Sequence, residues 1–399
     1  MYLYQIILSQ QRAPEPVVQR DRTKSKGHPL NNYYTDTLTL LLSDQKTELP
    51  FILESKGNRI HTAQHTLTEQ LIEIQIITDC DPEQPLIPYP ENYYSPDILD
   101  LVLAQIISIE KYYHCVIPVY ATLIRVLLFE LHRLLNHFNY FVTLFQSIRF
   151  LKPLELSSVN SALINSLFKE IRQHKSLDKF IVIGGISTDI PDGFIENLVR
   201  TLDTIKNNLK HIERQFTRQT LFSDLLTDIG IISSAKAANL SLSGPNRIAS
   251  LEISEYIPET MVTLPDFIES QPIQIDFSKG SIGDSWHRAW LRFLEIMFST
   301  RRLSKLSDTI LKTDVILMNQ PSIVERSTNF HTVITGSEGQ IKSTISRKSH
   351  HFYFTGKHHY PVWKITKNLN PFLKNERLSS AKVILASLNL NPIRYHLKR

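Results

Sequence analysis

Apolar residues recur every three to four positions through the middle of the chain, and this period predicts five long helices. Their predicted ranges are 97–115, 119–149, 157–175, 193–217 and 284–312. Long helices at this density predict a helix bundle. In the most apolar stretch, 115–150, charged and imidazole side chains keep every uncharged run short of the ~18 residues needed to span a membrane. We therefore expect a buried bundle helix there.

The regions on either side of the bundle have a shorter period. Alternating apolar runs such as 37–42 predict strands of a small antiparallel sheet. A proline-rich linker at 81–96 ends this region, and β-prone segments return after 312. The predicted fold class is α+β, mainly α, with a helix bundle and a small antiparallel sheet region. The predicted domains are an N-terminal α/β region (1–80), a helical bundle (81–320) and a C-terminal mixed basic region packing near the N-terminal sheet (321–399).

Composition limits the chemistry that the chain can perform alone. With 399 residues, 42% hydrophobic and 21% charged, it can form a sizeable globular core. Its two cysteines, Cys80 and Cys115, are too few for an iron–sulfur cluster or a four-thiolate zinc site. The histidine pairs at 350–351 and 358–359 have no acid or thiol nearby, so a solvated loop is expected there. We expect no cofactor bound by this chain.

Charge divides the chain into an acidic body and a basic tail. Residues 341–399 contain twelve Lys or Arg and one acid, which gives +11, whereas residues 1–340 carry −6. Such a tail can contact nucleic acid, an anionic membrane or an acidic partner, or fold against its own body. Basic and aromatic residues alternate in 347–364, so one alternative function is an organellar nucleic-acid-binding protein of ribosomal type. The acidic body argues against this alternative.

The second predicted helix carries a row of charged residues. Glu130 lies three positions before Arg133, and Arg133 lies four before His137, so all three project from one side. Arg125 lies within about a quarter turn of Arg133. On so apolar a helix, a charged row is costly unless it is paired, hydrogen-bonded or hydrated. Two interpretations follow: a solvated stripe, or a buried row that serves function.

Glycine is scarce, with twelve residues against the roughly 28 that average usage gives. Seven of them lie in three short blocks, at 184, 185 and 193, at 230 and 244, and at 280 and 283. These blocks predict turns with positive φ or close backbone approach. None has the spacing of a dinucleotide or nucleotide triphosphate site.

The sequence RVLLFELHRLLNHF, at 125–138, resembles the signature helix of the quinone-site core subunit of respiratory complex I. That family is similar to the large subunit of nickel–iron hydrogenases. Four further blocks agree with the family in order and approximate spacing, at 183–194, 227–247, 280–297 and 381–399. All seven clustered glycines lie inside these blocks. The resemblance implies a hydrogenase large-subunit-like fold.

The resemblance also implies a function. The chain would be a core subunit of a proton-pumping NADH:ubiquinone oxidoreductase and form part of the ubiquinone reduction chamber, beside a [4Fe–4S] cluster in an adjacent subunit. The implied partners are the iron–sulfur quinone-site subunit, the thirty-kilodalton-type subunit and the membrane-arm subunits. The implied location is the peripheral arm on the matrix side of the mitochondrial inner membrane. Because no convincing presequence is visible, we expect the chain to be made inside the organelle.

Hydrogenase large subunits hold their metal centre with two cysteine pairs, and this chain has neither pair. The resemblance therefore implies that a hydrophobic quinone takes the space of a lost metal site. Quinone reduction needs two protons, which histidine and tyrosine are suited to donate. The implied catalytic residues are His28 and Tyr94. The alternatives are Asn32 or Tyr33 in place of the family's second hairpin histidine, which is missing here, and Tyr93 or Tyr89 in place of Tyr94.

The quinone-binding residues implied by the resemblance are Thr143, Ser147 and Ile393. Family members usually carry an acid at the position of Ser147, and serine cannot relay a proton as a carboxylate does. The family's histidine before the glycines at 184–185 is replaced by Leu177, with His174 one helical turn away as a substitute. We therefore expect the local proton path to differ from that of the family.

The implied charge relay consists of Arg125, Glu130, Arg133 and Arg288. Asp284 is predicted to cap the last long helix. Arg288, Arg292 and Glu295 follow it at three-to-four spacing, and we expect them to form ion pairs with the signature helix. Those pairs would connect the charged row to the chamber.

Overall fold

The computed structural model describes most of the bundle and parts of both ends of the chain. The described residues are 23–24, 33–41, 48–65, 93–94, 98–174, 180–258, 272–276, 279–319, 330–337, 339–348, 351–358, 369–389 and 394–395.

The helices of the described residues include the five that the apolar period predicts. In chain order they are α1 (Ile98–Tyr112), α2 (Val119–Ser147), α3 (Leu151–His174), α4 (Phe194–Arg218), α5 (Thr220–Asp224), α6 (Ser234–Asn239), α7 (Gly244–Ile248), α8 (Ser285–Ile310), α9 (Asn370–Leu373) and α10 (Ala381–Ser387). The predicted long helices are α1 to α4 and α8. α3 starts at Leu151 rather than at 157, since Pro153 falls in the first turn, where a missing N–H costs little.

The strands form small antiparallel sheets, as the alternating runs predict. They are β1 (Thr23–Lys24), β2 (Tyr33–Leu41), β3 (Glu48–Lys56), β4 (Arg59–His65), β5 (Tyr93–Tyr94), β6 (Ile181–Val182), β7 (Gly185–Ile186), β8 (Glu255–Tyr256), β9 (Ile273–Gln274), β10 (Phe330–Gly336), β11 (Gly339–Lys348), β12 (His351–His358) and β13 (Arg394–Tyr395). Two sheets have the orders β1-β2-β3-β4 and β10-β11-β12, and β5–β13, β6–β7 and β8–β9 are two-stranded pairs. The mainly α, α+β fold class is confirmed.

α2 is the central helix of the bundle. Of its 29 residues, 23 are buried, so it is covered on every side. α3 and α8 pack along it, and α4 packs against both of these helices. α4 is amphipathic, with buried residues every three to four positions from Phe194 to Phe216. No helix in the described part of the chain is long and apolar enough to cross a membrane.

The C-terminal segment 369–389 packs on the N-terminal sheet. The backbone of Ile60 in β4 exchanges hydrogen bonds with Asn375 (2.8 Å) and Glu376 (3.0 Å), and the N–H of Leu378 donates to the carbonyl of Asn58 (3.1 Å). The β10–β11 hairpin instead packs against α1. These contacts join the two ends of the chain without fixing a boundary, so the division into three domains stays a prediction.

Candidate functional site

α2 and α8 run antiparallel through the core, and polar side chains pair across their contact. We call this set the α2–α8 seam. It consists of Glu130, Arg133, His137 and Tyr140 on α2, and of Arg302, Ser299, Glu295 and Arg292 on α8. All eight residues are 3% exposed or less. The interpretation of the charged row as a solvated stripe is therefore wrong.

Glu130 is the centre of the first cluster in the seam. Its carboxylate accepts hydrogen bonds from Arg302 Nη1 (2.8 Å), Ser299 Oγ (2.6 Å) and Arg133 Nη1 (3.3 Å). Burial alone would raise the pKa of Glu130, but the two arginines and the serine hold it below its ordinary value. Burial alone would likewise lower the pKa of Arg133. Its neighbours outweigh burial and hold this pKa above its ordinary value; they are Glu130, Glu295, Tyr256 and Asp100. Glu130 and Arg133 thus each favour the ionised form of the other.

The second part of the seam contains an imidazole and an aromatic ring. Nε2 of His137 lies 2.7 Å from Oε2 of Glu295. The guanidinium of Arg292 lies over the ring of Tyr140, at 4.5 Å from the ring centroid. The predicted contact between Glu295 and the signature helix is confirmed. Arg292 contacts the same helix through an aromatic ring.

Arg125 pairs with a residue that the spacing along α2 does not reveal. Its guanidinium donates to both carboxylate oxygens of Glu110 on α1, at 2.9 and 2.6 Å. It also donates to the carbonyls of Val182 (2.6 Å) and Gly185 (2.7 Å), while Glu110 accepts from the N–H of Gly184 (2.9 Å). This pair therefore fixes the β6–β7 hairpin to α1 and α2.

The hairpin turn needs glycine for two reasons. Gly184 has φ +88°, and a Cβ there would overlap the carbonyl oxygen of Asn319. The turn is thus pressed against the segment that follows α8, where the N–H of Asn319 donates to the carbonyl of Gly184 at 3.1 Å. The prediction that this glycine block marks positive φ and close backbone approach is confirmed here.

Arg288 does not make the predicted ion pair with the signature helix. It is fully buried and donates to the carbonyls of Gly230 (2.9 Å) and Gly283 (2.6 Å) and to the hydroxyl of Ser387 (2.7 Å). The prediction fails because Glu130, the acid of α2, lies level with Arg302, almost four turns after Arg288 on α8. Burial, with Arg292 nearby, lowers the pKa of Arg288 to about 10, against the opposing influence of Tyr140 and Asp284.

Asp284 caps α8 as predicted. Its Oδ1 accepts a hydrogen bond from the N–H of His287 at 2.8 Å. The same carboxylate accepts from the N–H of Asp228 (2.9 Å), and Oδ1 lies 2.9 Å from Nδ1 of His287. The cap therefore also fixes the loop before α6 to the start of α8.

The predicted quinone-binding residues on α2 lie near its C-terminal end. Thr143 is buried, at 3% exposure, and Ser147 is half-buried and donates to the carbonyl of Leu144 at 2.6 Å. α10 packs against α2 and also against β2. The predicted residues His28, Asn32, Tyr89, Leu177 and Ile393 and the cysteine Cys80 lie outside the described residues. Of Tyr33, Tyr93, Tyr94 and His174 the structure describes the backbone, at the start of β2, in β5 and at the end of α3.

The β5–β13 pair joins two segments to which the resemblance assigns quinone contacts. Tyr94 is the register partner of Arg394, and Tyr93 that of Tyr395. Ile393 immediately precedes Arg394 in the chain. The structure thus brings the backbone of Tyr94 beside the C-terminal segment, although the two are far apart in the sequence.

Sequence reasoning missed Glu110, Asp100, Ser299 and Arg302. The last two continue the three-to-four spacing of Arg288, Arg292 and Glu295 along α8, so extending that row by two turns would have found them. Asp100 lies 3.2 Å from Nδ1 of His132, and both side chains are buried. For the two α1 acids the sequence gives no comparable signal, because their partners lie on another helix.

Within the described residues, no group of three or more His, Cys, Asp or Glu side chains is arranged to hold a metal ion. Burial, with Glu110 nearby, raises the pKa of Cys115 to about 11 despite Arg125, so its thiol stays protonated at neutral pH. The nucleic-acid alternative depends on side chains of 347–364, which lie outside what the structure describes. That alternative stays a prediction.

The fold and the seam define a mainly α bundle protein whose centre is held by buried arginine–carboxylate pairs. A sequence model of the family described as "Respiratory-chain NADH dehydrogenase, 49 Kd subunit" matches residues 162–368, which is just over half of the chain. The chain belongs to this family. The resemblance inferred from the five sequence blocks is confirmed, and so is the expectation that the chain works as a subunit of an oxidoreductase complex with other complex I subunits as partners.

The chain is also similar to individual bacterial proteins that are named as the D-type subunit of NADH-quinone oxidoreductase. It is 25% identical over 331 residues to that of Rickettsia akari (strain Hartford), covering 80% of this chain and 78% of the relative. It is 26% identical over 353 residues to that of Rickettsia bellii (strain OSU 85-389), covering 84% and 82%. For the protein of Bacillus cytotoxicus the identity is 24% over 311 residues, covering 76% and 82%. At this identity the chain is a divergent member of the family.

Proposed function

We propose that this chain forms one wall of the chamber in which ubiquinone is reduced, within a proton-pumping NADH:ubiquinone oxidoreductase. The electrons come from a [4Fe–4S] cluster held by a neighbouring subunit. Family membership supports the class of enzyme, and the relatives are named as subunits of NADH-quinone oxidoreductases. An apolar chamber beside a few polar groups is the kind of site that a hydrophobic quinone needs.

The observation that carries the proposal is the pairing of β5 with β13. It places the segment of Tyr94 beside the segment that follows Ile393. Both residues are assigned to the quinone by the resemblance, and the pairing of their segments supports a single site to which both contribute. Thr143 and Ser147 add the third side, at the end of α2 against which α10 packs.

In this proposal the chain supplies positioning and protons. Reducing ubiquinone to ubiquinol takes two electrons and two protons. His28 and Tyr94 donate hydrogen bonds to the two carbonyl oxygens and supply protons to them, and Tyr94 is reprotonated through a hydrogen-bonded network. Thr143, Ser147 and Ile393 line the wall. Arg125, Glu130, Arg133 and Arg288 form a charge relay behind it, held in a dry core where charges interact strongly.

The proposed location is the peripheral arm of the complex, on the matrix side of the mitochondrial inner membrane, with the chain made inside the organelle. The proposed neighbours are the iron–sulfur quinone-site subunit, the thirty-kilodalton-type subunit and the membrane-arm subunits. Copurification of these subunits with the tagged chain from mitochondrial inner membranes tests both statements. Recovery of the chain with ribosomal RNA instead would favour the nucleic-acid alternative.

The catalytic assignment is tested with Tyr94→Phe in the assembled complex, compared with Tyr93→Phe and Tyr89→Phe. Loss of the phenol that serves the quinone lowers kcat for NADH-driven ubiquinone reduction by about 10²-fold, as for loss of a positioned proton donor. Oxidation of NADH by an artificial acceptor that bypasses the quinone measures assembly. Wild-type ubiquinone reduction by all three variants would contradict the assignment of a tyrosine here.

A further inference from the structure

Two buried histidine–carboxylate pairs lie on α2, and the function proposed above uses neither. His137 pairs with Glu295 at 2.7 Å, and the two residues are 0% and 2% exposed. His132 pairs with Asp100 at 3.2 Å, and the two residues are 7% and 1% exposed. The histidines are five positions apart, so they leave the helix on different faces.

The surroundings of the two pairs differ. His137 and Glu295 lie inside the α2–α8 seam, between the Glu130 cluster and the Tyr140–Arg292 contact. The side chain of His132 lies edge-on to the ring of Phe168 on α3, at 6.4 Å between centroids. Asp100 is packed against Gly336 at the end of β10. The first pair therefore lies among the other polar side chains of the α2–α8 seam. The second pair lies between the ring of Phe168 and the β10–β11 hairpin.

Other charged groups of the seam surround the His137–Glu295 pair. They are Arg133 on α2, Arg292 and Arg302 on α8, and Glu130 as the other acid. Tyr256 in β8 and Asp100 on α1 face Arg133 from outside the seam. With neutral His137, the seam has three arginines and two carboxylates. A protonated His137 gives the seam one more positive charge, beside the carboxylate of Glu295.

The geometry of the pair leaves room for a second protonation state. Among the described residues, neither Nδ1 of His137 nor Oε1 of Glu295 has a hydrogen-bonding partner. The Nε2–Oε2 contact can therefore persist while Nδ1 gains or loses a proton.

Hydroxyl groups continue from this pair toward the end of α2. Tyr140 follows His137 by three positions, Thr143 follows Tyr140 by three, and Ser147 follows Thr143 by four. Residues at these spacings are neighbours on a helix surface. Thr143 and Ser147 are the residues that the proposed function places on the chamber wall. The row leads to the position where family members carry an acid and this chain carries Ser147.

We propose that His137, paired with Glu295, is a proton reservoir for quinone reduction in this chain, a role that rests on the proposed function. Two electrons from the neighbouring iron–sulfur cluster reduce the quinone, and two protons complete the quinol. The two proton donors of the proposed function give one proton each to the quinone oxygens. The His137 imidazolium then passes its proton along the hydroxyl row and reprotonates one of these donors. His137 becomes neutral imidazole and is reprotonated from water after the quinol leaves. It acts through Tyr140 and Thr143, and is thus a positioning residue rather than a catalytic one.

The test is the pH–rate profile of ubiquinone reduction by the assembled complex with His137→Gln. Glutamine keeps a hydrogen bond to Glu295 but holds no exchangeable positive charge. We expect kcat to fall by about 10²-fold with KM for ubiquinone unchanged, and the decline of activity at alkaline pH to disappear. NADH oxidation by an artificial acceptor, at the wild-type rate, shows that the complex has assembled.

His132→Gln is the matched control, because it alters the same kind of buried pair on the same helix. It should retain the wild-type kcat and the wild-type alkaline decline. Equal loss in both variants would overturn the proposal, since the effect would then come from weakened packing of α2. A wild-type profile for His137→Gln in an assembled complex would overturn it as well.

Glu295→Gln is the second variant, and it tests the proposal if the complex with His137→Gln does not assemble. Removing the carboxylate makes the imidazolium lose its proton at lower pH, so the alkaline decline should move to lower pH, and an unmoved decline contradicts the proposal. The proposed function fails separately, if the wild-type complex does not reduce ubiquinone. If Tyr94→Phe loses activity while His137→Gln keeps it, only the reservoir is wrong.

Discussion

Arg125 on α2 holds Glu110 on α1 with two hydrogen bonds, from Nη1 to Oε2 at 2.9 Å and from Nη2 to Oε1 at 2.6 Å. Both side chains are buried, at 3% and 6% exposure. The pair has further bonds to the backbone of the β6–β7 hairpin, so neither charge is left without partners. One ion pair thus connects three elements that are distant in sequence.

Removing Arg125 should destabilise the chain strongly. Arg125→Met leaves Glu110 buried without its cation, and breaking a buried pair in this way costs about 3–5 kcal/mol. Amide hydrogen exchange of α1, α2 and the hairpin in the assembled complex measures the loss. Lys152→Met is the control, because the Lys152–Glu155 pair is exposed, at 66% and 62%, and is worth at most about 1 kcal/mol. Equal protection of both variants would contradict the role of the pair.

Local patterns in the sequence were sufficient for much of this structure. The apolar period located the five long helices, the position of Asp284 before an apolar run indicated its cap, and the spacing of Glu130, Arg133 and His137 placed them on one side of α2. Each of these features is decided by residues within a few turns of one another. The family resemblance also depended on short local motifs, and it added the order of these motifs along the chain.

The partners of these residues could not be predicted in the same way. Arg125 meets Glu110, and Arg288 meets backbone carbonyls and Ser387, because of the rotation and offset of helices that pack together in three dimensions. Spacing along one helix contains no information about that offset. The antiparallel register of α2 and α8 decides that Glu130 lies beside Arg302 rather than Arg288.

The pH dependence of the chain's stability should show the contribution of ionised Glu130. Its pKa in the folded chain lies below the ordinary value of 4.5, so its contribution is fully present above pH 4.5 and is lost as pH falls from there through the folded value. Urea titrations of the purified chain at neutral and acidic pH measure this loss. In Glu130→Gln, Arg133 and Arg302 lose the carboxylate that they share. The free energy of unfolding should therefore fall by about 3–5 kcal/mol at neutral pH and change less than that of the wild type between neutral and acidic pH. Glu155→Gln, at an exposed position, should keep the wild-type dependence.

Gly184 and Gly193 separate the effect of positive φ from that of close packing. Their φ values are +88° and +77°, but a Cβ meets the Asn319 carbonyl at Gly184 and nothing within 4 Å at Gly193. Gly193→Ala should therefore cost about 1 kcal/mol, for strain alone. Gly184→Ala should cost at least about 2–3 kcal/mol more, since the hairpin must move from Asn319. Thermal unfolding of the two variants under the same conditions tests this, and equal midpoints would contradict the close contact.

Arg288 is the residue of the proposed charge relay for which the effect of geometry can be distinguished from that of charge. Arg288→Met leaves the carbonyls of Gly230 and Gly283 without their shared donor, whereas Arg288→Lys keeps the charge but cannot reproduce the planar fork. If Arg288 belongs to the charge relay, Lys should retain most of the ubiquinone reductase activity of the assembled complex, and Met should lower kcat by about tenfold. Arg301→Met, at an exposed arginine on the same helix, controls for lost positive charge. Wild-type kcat for both Arg288 variants would show that Arg288 only connects α8 to α10.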